Sequence, residues 1–299
     1  MSAHFYLNES RFAALLHDID EHKLEVDQLV KSMDEILEIN ACNLYGPHES
    51  EFYSIEINGE NVAQRMFSHY SDGDIRDLIV RTQAALASFP HYSEAIENKN
   101  NATECLEFSQ CGSLISDISL QGATWWNEDA MHLVSTPEDI PKAIRKHFIS
   151  TKVEQKHFPD FSGGMFPNLY WATYPENIKD TGLSYIESIP KVIHHLSYLN
   201  DLVSNDFLTS SEDNEIIAKA GSQGVEMSPE SPQTRHNKIA MRQRTVEIED
   251  ESICCEWHTK LDNTKGRIHF HIATGLSEKV RKVVGDKVIV GVIAEHLTT

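Results

Sequence analysis

Six polar side chains fall at alternating positions near the end of the chain: Glu256, His258 and Lys260, then Arg267, His269 and His271. Imidazoles exchange protons near neutral pH, and paired cations hold phosphate. Cleavage of RNA by attack of its own 2′-hydroxyl needs that inventory and no metal. The spacing decides whether the six groups can act together. Over residues 253–261, Ile253, Cys255, Trp257 and Leu261 point one way, and Cys254, Glu256, His258 and Lys260 the other. Over 267–272, Ile268, Phe270 and Ile272 share one face, with Arg267, His269 and His271 opposite. Asp262-Asn263-Thr264-Lys265 followed by Gly266 is good hairpin-loop chemistry. Closing that loop with Leu261 opposite Gly266 pairs Lys260 with Arg267, His258 with His269 and Glu256 with His271. Opposed Cβ atoms then lie about 5 Å apart on one face.

That register assigns roles. His258 and His269 share acid–base duty, and Glu256 orients His271. Lys260 across from Arg267 is a like-charge pair that an anion such as phosphate would bridge. The trio His258, His269 and His271 could also reach one metal ion, but neither a metal nor any other cofactor is expected. Cys254 and Cys255 point to opposite faces and cannot easily share an ion. The same alternation also describes the solvated side of an ordinary two-faced hairpin, which needs no function.

The rest of the chain must position this hairpin. Residues 252–299 hold seven Lys or Arg against five Asp or Glu, while the whole chain carries a formal charge of −20. A body this acidic repels nucleic acid and anionic membrane and suits a partner with a basic surface. The five cysteines show no CxxC spacing, so neither a disulfide framework nor a zinc ribbon is indicated. The first residues lack a basic region followed by an apolar run, and no stretch approaches 18 apolar residues. A cytoplasmic location without membrane contact is expected.

Helical stripes run through residues 9–40, with Phe12, Leu15, Leu16 and Ile19 in one and Val26, Leu29, Val30, Met33, Ile36 and Leu37 in the other; Asp20-Glu21-His22 is the expected break. Alternation over 52–57 before Asn58-Gly59 signals a hairpin, and a helix follows at about 74–88. Residues 105–136 read as strand-rich, placing Trp125 and Trp126 on opposite sides of a strand, one packed and one free for an interface. Thr136 starts a helix, residues 166–171 read as a buried strand or entry turn with Trp171 exposed to a partner, and Ser188 caps a helix bearing one packed and one exposed histidine among His194 and His195. Residues 209–245, rich in Ser, Gly and Pro, read as a linker or a partner-binding arm. The expected organisation is an α+β fold: a mixed helical and strand-rich body over 1–208, the linker over 209–245, and a C-terminal antiparallel sheet over 246–299 with residues 287–294 as its central strand.

The run Lys260-Leu261, Gly266 to His271 and Lys287 to His296 resembles the C-terminal strands of RelE/ParE-type toxins. The resemblance implies a small twisted antiparallel sheet and, for RelE-type members, mRNA cleavage, with Arg267 as the phosphate contact and His296 as the terminal polar residue. The wider pattern, Phe166-Pro167-Asn168-Leu169 before a His-His-Leu helix and Glu256 to Leu261 downstream, is similar to uncharacterised proteins of bacterial defence islands and mobile elements. Two functions follow. One is a non-catalytic protein-binding component or inhibitor in phage–host conflict, oligomeric or bound to a nucleic-acid-binding defence complex through Trp125, Trp126 and Trp171. The alternative is a metal-independent RNA endonuclease of RelE type.

Overall fold

A computed structural model describes residues 2–298. The expected boundary at 208 is displaced: the chain divides into compact units at 153/154. Both units mix helices and sheets, so the fold is α+β. Among the described residues, no helix is long and apolar enough to cross a membrane.

Residues 1–153 run β1 (Ala3–Leu7), α1 (Glu9–His17), α2 (Ile19–Glu38), β2 (Cys42–Tyr45), α3 (Glu49–Tyr53), β3 (Glu56–Ile57), β4 (Glu60–Asn61), α4 (Val62–Met66), α5 (Gly73–Leu86), α6 (Tyr92–Ala95), α7 (Ala102–Ser109), β5 (Gly112–Ile115), β6 (Met131–Val134) and α8 (Ile140–Ser150). The main sheet is wholly parallel in the order β2-β1-β5-β6. Parallel strands covered on both faces lose the polar alternation of a surface strand, and Phe5, Tyr6, Leu7, Leu114 and Ile115 are all fully buried.

The two helical stripes pack as expected except for Leu37, which stays 41% exposed. The break falls at Asp18, which lies between α1 and α2, and His22 adds a kink inside α2. Asn58 and Gly59 both have positive φ and close a two-residue turn. That hairpin pairs only residues 56–57 with 60–61, because Phe52 and Tyr53 belong to α3. The tryptophan pair departs from expectation. Trp125 and Trp126 lie in the irregular connection between β5 and β6, where no strand forces their side chains apart. Their rings sit 6.1 Å apart and pack on one cluster containing Tyr6, Tyr45, Tyr92, Leu106 and Met131.

Residues 154–299 contain α9 (Phe158–Met165), β7 (Leu169–Trp171), α10 (Tyr185–Asp201), α11 (Val203–Leu208), α12 (Asp213–Ser222), β8 (Met227–Pro229), α13 (Pro232–His236), α14 (Lys238–Arg242), β9 (Thr245–Ile248), β10 (Glu251–Cys254), β11 (Trp257–Lys260), β12 (Arg267–His271), α15 (Glu278–Val284) and β13 (Val288–Ala294). The sheet order is β7-β13-β12-β11-β8; neighbours are antiparallel apart from the β13–β7 pair. β13 is flanked on both sides, in keeping with a sequence apolar on both faces. Gly291 within it lets Cys255 pack directly on the backbone, since a Cβ there would run into the Cys255 thiol. Trp171 is half-buried and meets Phe158 and Phe166 edge-on at 6.1 and 6.3 Å, so its ring serves packing.

The segment expected to be a linker is ordered. Residues 209–245 carry α12, β8, α13 and α14, and β8 adds the edge strand beside β11. Ser231 and Asn237 cap α13 and α14 with side-chain oxygens, and Pro232 takes the first helical turn. The Ser-Pro composition that suggests a linker is thus capping chemistry.

On α10 the helix starts one turn earlier than expected, after Ser184, with Ser188 inside it. His195 is 1% exposed and, among the described residues, neither ring nitrogen is hydrogen-bonded, while His194 is exposed and meets the Gln223 carbonyl at 2.8 Å. Burial holds the His195 imidazole down at about 4. A group depressed in the folded state leaves the unfolded chain binding more protons as pH falls below its ordinary value of 6.5. The stability present above pH 6.5 is therefore lost progressively between about 6.5 and 4. His195→Leu is expected to flatten that slope when urea midpoints are measured across the window. A slope identical to the parent would show that His195 does not carry it.

Candidate functional site

The hairpin forms in the expected register. Lys260 pairs with Arg267 and His258 with His269, and the ladder ends at Trp257–Phe270. Glu256 and His271 are left out because the expected long strand is two: β10 pairs with β9, and the chain steps at Cys255–Glu256 before β11 begins. Glu256 instead lies 3.3 Å from the Arg235 guanidinium, and His271 Nδ1 meets the Cys254 carbonyl at 3.1 Å. Neither lines the cleft described below.

The histidine face is not solvated. His258 is 8% and His269 1% exposed, because the segment from Glu226 to Arg244 folds over them. β8 pairs Ser228 with His258, and the Glu230 amide donates to the Glu256 carbonyl at 3.0 Å. These anchors deliver two residues that sequence reasoning missed. Arg244 donates from Nε to Glu230 Oε1 at 2.6 Å and from Nη1 to the Ala240 and Thr298 carbonyls. Glu230 Oε1 also lies 3.3 Å from His258 Nδ1 and 3.8 Å from His269 Nδ1. The two imidazoles are 5.0 Å apart, tilted by 39°.

Burial alone would raise the Glu230 carboxyl, but His258 and Arg244 outweigh it and hold it at about 2. Burial, with lesser repulsion from His258 and Arg244, pushes His269 down to about 3. At neutral pH the cluster therefore has an anionic Glu230 and a neutral His269. A neutral His269 is not an imidazolium acid, so of the two duties expected of the pair the acceptor's is the one open to it.

The cluster floors a cleft of about 200 Å³, lined also by Lys260, Arg267, Leu297 and the exposed His296. The two expected phosphate ligands are engaged elsewhere. Lys260 Nζ pairs with Glu226 at 2.8 Å. Arg267 turns back on its own loop, donating from Nη1 to the Asp262, Lys265 and Gly266 carbonyls and from Nη2 to that of Asn263. That arrangement explains how two cations tolerate each other across the strands: each is partnered away from the other. Glu230, His258 and His269 each offer a ligand atom within 4.8 Å of the others, a set suited to a metal ion; His271, considered for that role from the sequence, is not part of it.

No family model matches the chain, and neither the curated proteins nor the solved structures contain a match.

Proposed function

We propose that the C-terminal cleft is the reaction site of a phosphodiester-cleaving effector acting on RNA in phage–host conflict. The observation that carries this reading is the convergence of Glu230, His258, His269 and Arg244 on the floor of an open cleft. A buried ion pair between Glu230 and Arg244 is complete by itself, and packing two imidazoles against it adds polar burial that stability does not require. Of the cations lining the cleft, Lys260 and Arg244 are paired with carboxylates, whereas Arg267 donates to neutral carbonyls and keeps a charge that favours an anionic substrate. The resemblance of β11, β12 and β13 to RelE/ParE-type strands supports the choice of RNA.

Purified protein is expected to cut single-stranded RNA oligonucleotides, and His258→Ala to slow the cut by about 100-fold or more. Intact RNA with the wild-type chain, or equal rates for the variant, would overturn the reading. A non-catalytic, protein-binding role is the second reading. It is favoured by the acidic body, with its net charge of −20, which suits a basic partner. The tryptophans once expected to supply that contact pack inward in the structure.

A further inference from the structure

We infer that Glu230, His258 and His269 form a binding site for one divalent transition-metal ion of the zinc or iron(II) class. The inference rests on the reading of this cleft as the reaction site and supplies the cofactor which that reading lacks. Four-coordinate zinc with bonds near 2.0–2.1 Å sets its ligand atoms about 3.3–3.4 Å apart. Glu230 Oε1 already stands 3.3 Å from His258 Nδ1 and 3.8 Å from His269 Nδ1. All three ligand atoms lie within 4.8 Å of one another, so binding would draw them together onto the ion.

A second observation is independent of that spacing. His269 is 1% exposed, and among the described residues neither of its ring nitrogens makes a hydrogen bond of good geometry; His258 Nδ1, also buried, approaches Glu230 Oε1 at 3.3 Å without hydrogen-bond geometry. Desolvated, unpaired nitrogens destabilise a fold unless something binds them. A metal ion would take one nitrogen of each ring and the carboxylate together, leaving His269 Nε2 to carry the ring proton. Arg244, fixed by Glu230, Ala240 and Thr298, holds the carboxylate in place in the manner of a residue that orients a ligand. Two imidazoles and one carboxylate select against magnesium and calcium, which take mostly oxygen ligands. The fourth side opens toward the cleft with Lys260 and His296, where a water or a substrate oxygen has room.

The test uses the full chain, dialysed against chelator and titrated with Zn²⁺ by calorimetry and with Co²⁺ by absorption. One ion per chain is expected, with the visible bands of a low-coordinate cobalt site. Glu230→Gln, which keeps the shape of the side chain, and His269→Ala should each weaken binding about tenfold or more, with folding checked by circular dichroism. Absence of one-to-one binding, or binding unchanged in a folded Glu230→Gln protein, overturns the inference. RNA cleavage is scored separately on the same preparations: stoichiometric metal without cleavage overturns the proposed function and leaves the metal site standing.

Discussion

Glu230→Ala is expected to destabilise residues 154–299 by about 3–5 kcal/mol, the cost of leaving a buried guanidinium without its counter-charge. Arg244 is 2% exposed and its Nε donates to Glu230 at 2.6 Å, the shortest contact between charged groups in the cluster. Its remaining bonds go to neutral carbonyls of Ala240 and Thr298, which cannot replace a carboxylate. The loss also releases His258 from its anionic neighbour and frees the cover that keeps the histidine face dry. Urea unfolding measures the effect, with amide exchange in β11 and β12 locating it. A loss under about 1 kcal/mol would mean that the pair is solvated and the cluster is not a built site. Adding Arg244→Met to the Glu230→Ala protein should recover much of the loss, since an apolar replacement of both partners removes the orphaned charge.

Phe270→Ala should cost a similar about 3–5 kcal/mol for a different reason. Phe270 is fully buried on β12, on the side opposite His269, where Phe207 meets it edge-on at 6.4 Å and also meets Trp257 at 5.0 Å. Truncation leaves a void between two rings that strands and helix cannot easily close. Phe207→Ala, at a half-buried position on α11, should cost clearly less. Equal losses for the two variants would show that the aromatic cluster, and not the depth of β12, sets the penalty. Chemical denaturation of the three proteins side by side decides between them.

The hairpin was legible from the sequence because two signals agree there. Alternation assigns faces, and the Asp262 to Gly266 loop, with Gly266 at φ +76, sets the register. What alternation does not contain is which face is covered. His258 and His269 read as a wet surface because their cover, Glu230 and Arg244, comes from a strand of three residues and two short capped helices. Such pieces are too short for periodicity, and their Ser, Pro and Asn caps resemble linker composition. The long strand expected over 253–261 failed for a related reason: Cys254 and Cys255 continue the alternation through a point where the hydrogen-bonding partner changes from β9 to β12. Pattern reports the side a residue faces, and pairing reports the neighbour, so only the first is local. Trp125 and Trp126 show the same limit, since a strand was assumed where the chain turns.

β13 lies inside its sheet, between β7 and β12, yet its residues come after those of every other strand in that sheet. During synthesis, β7 on one side and the β8–β11–β12 group on the other are translated with an empty slot between them. Until residue 294 clears the ribosome, both bare edges face solvent or a chaperone. Nascent chains stalled before that point should therefore be sticky, whereas the released chain with β13 in place presents a finished sheet.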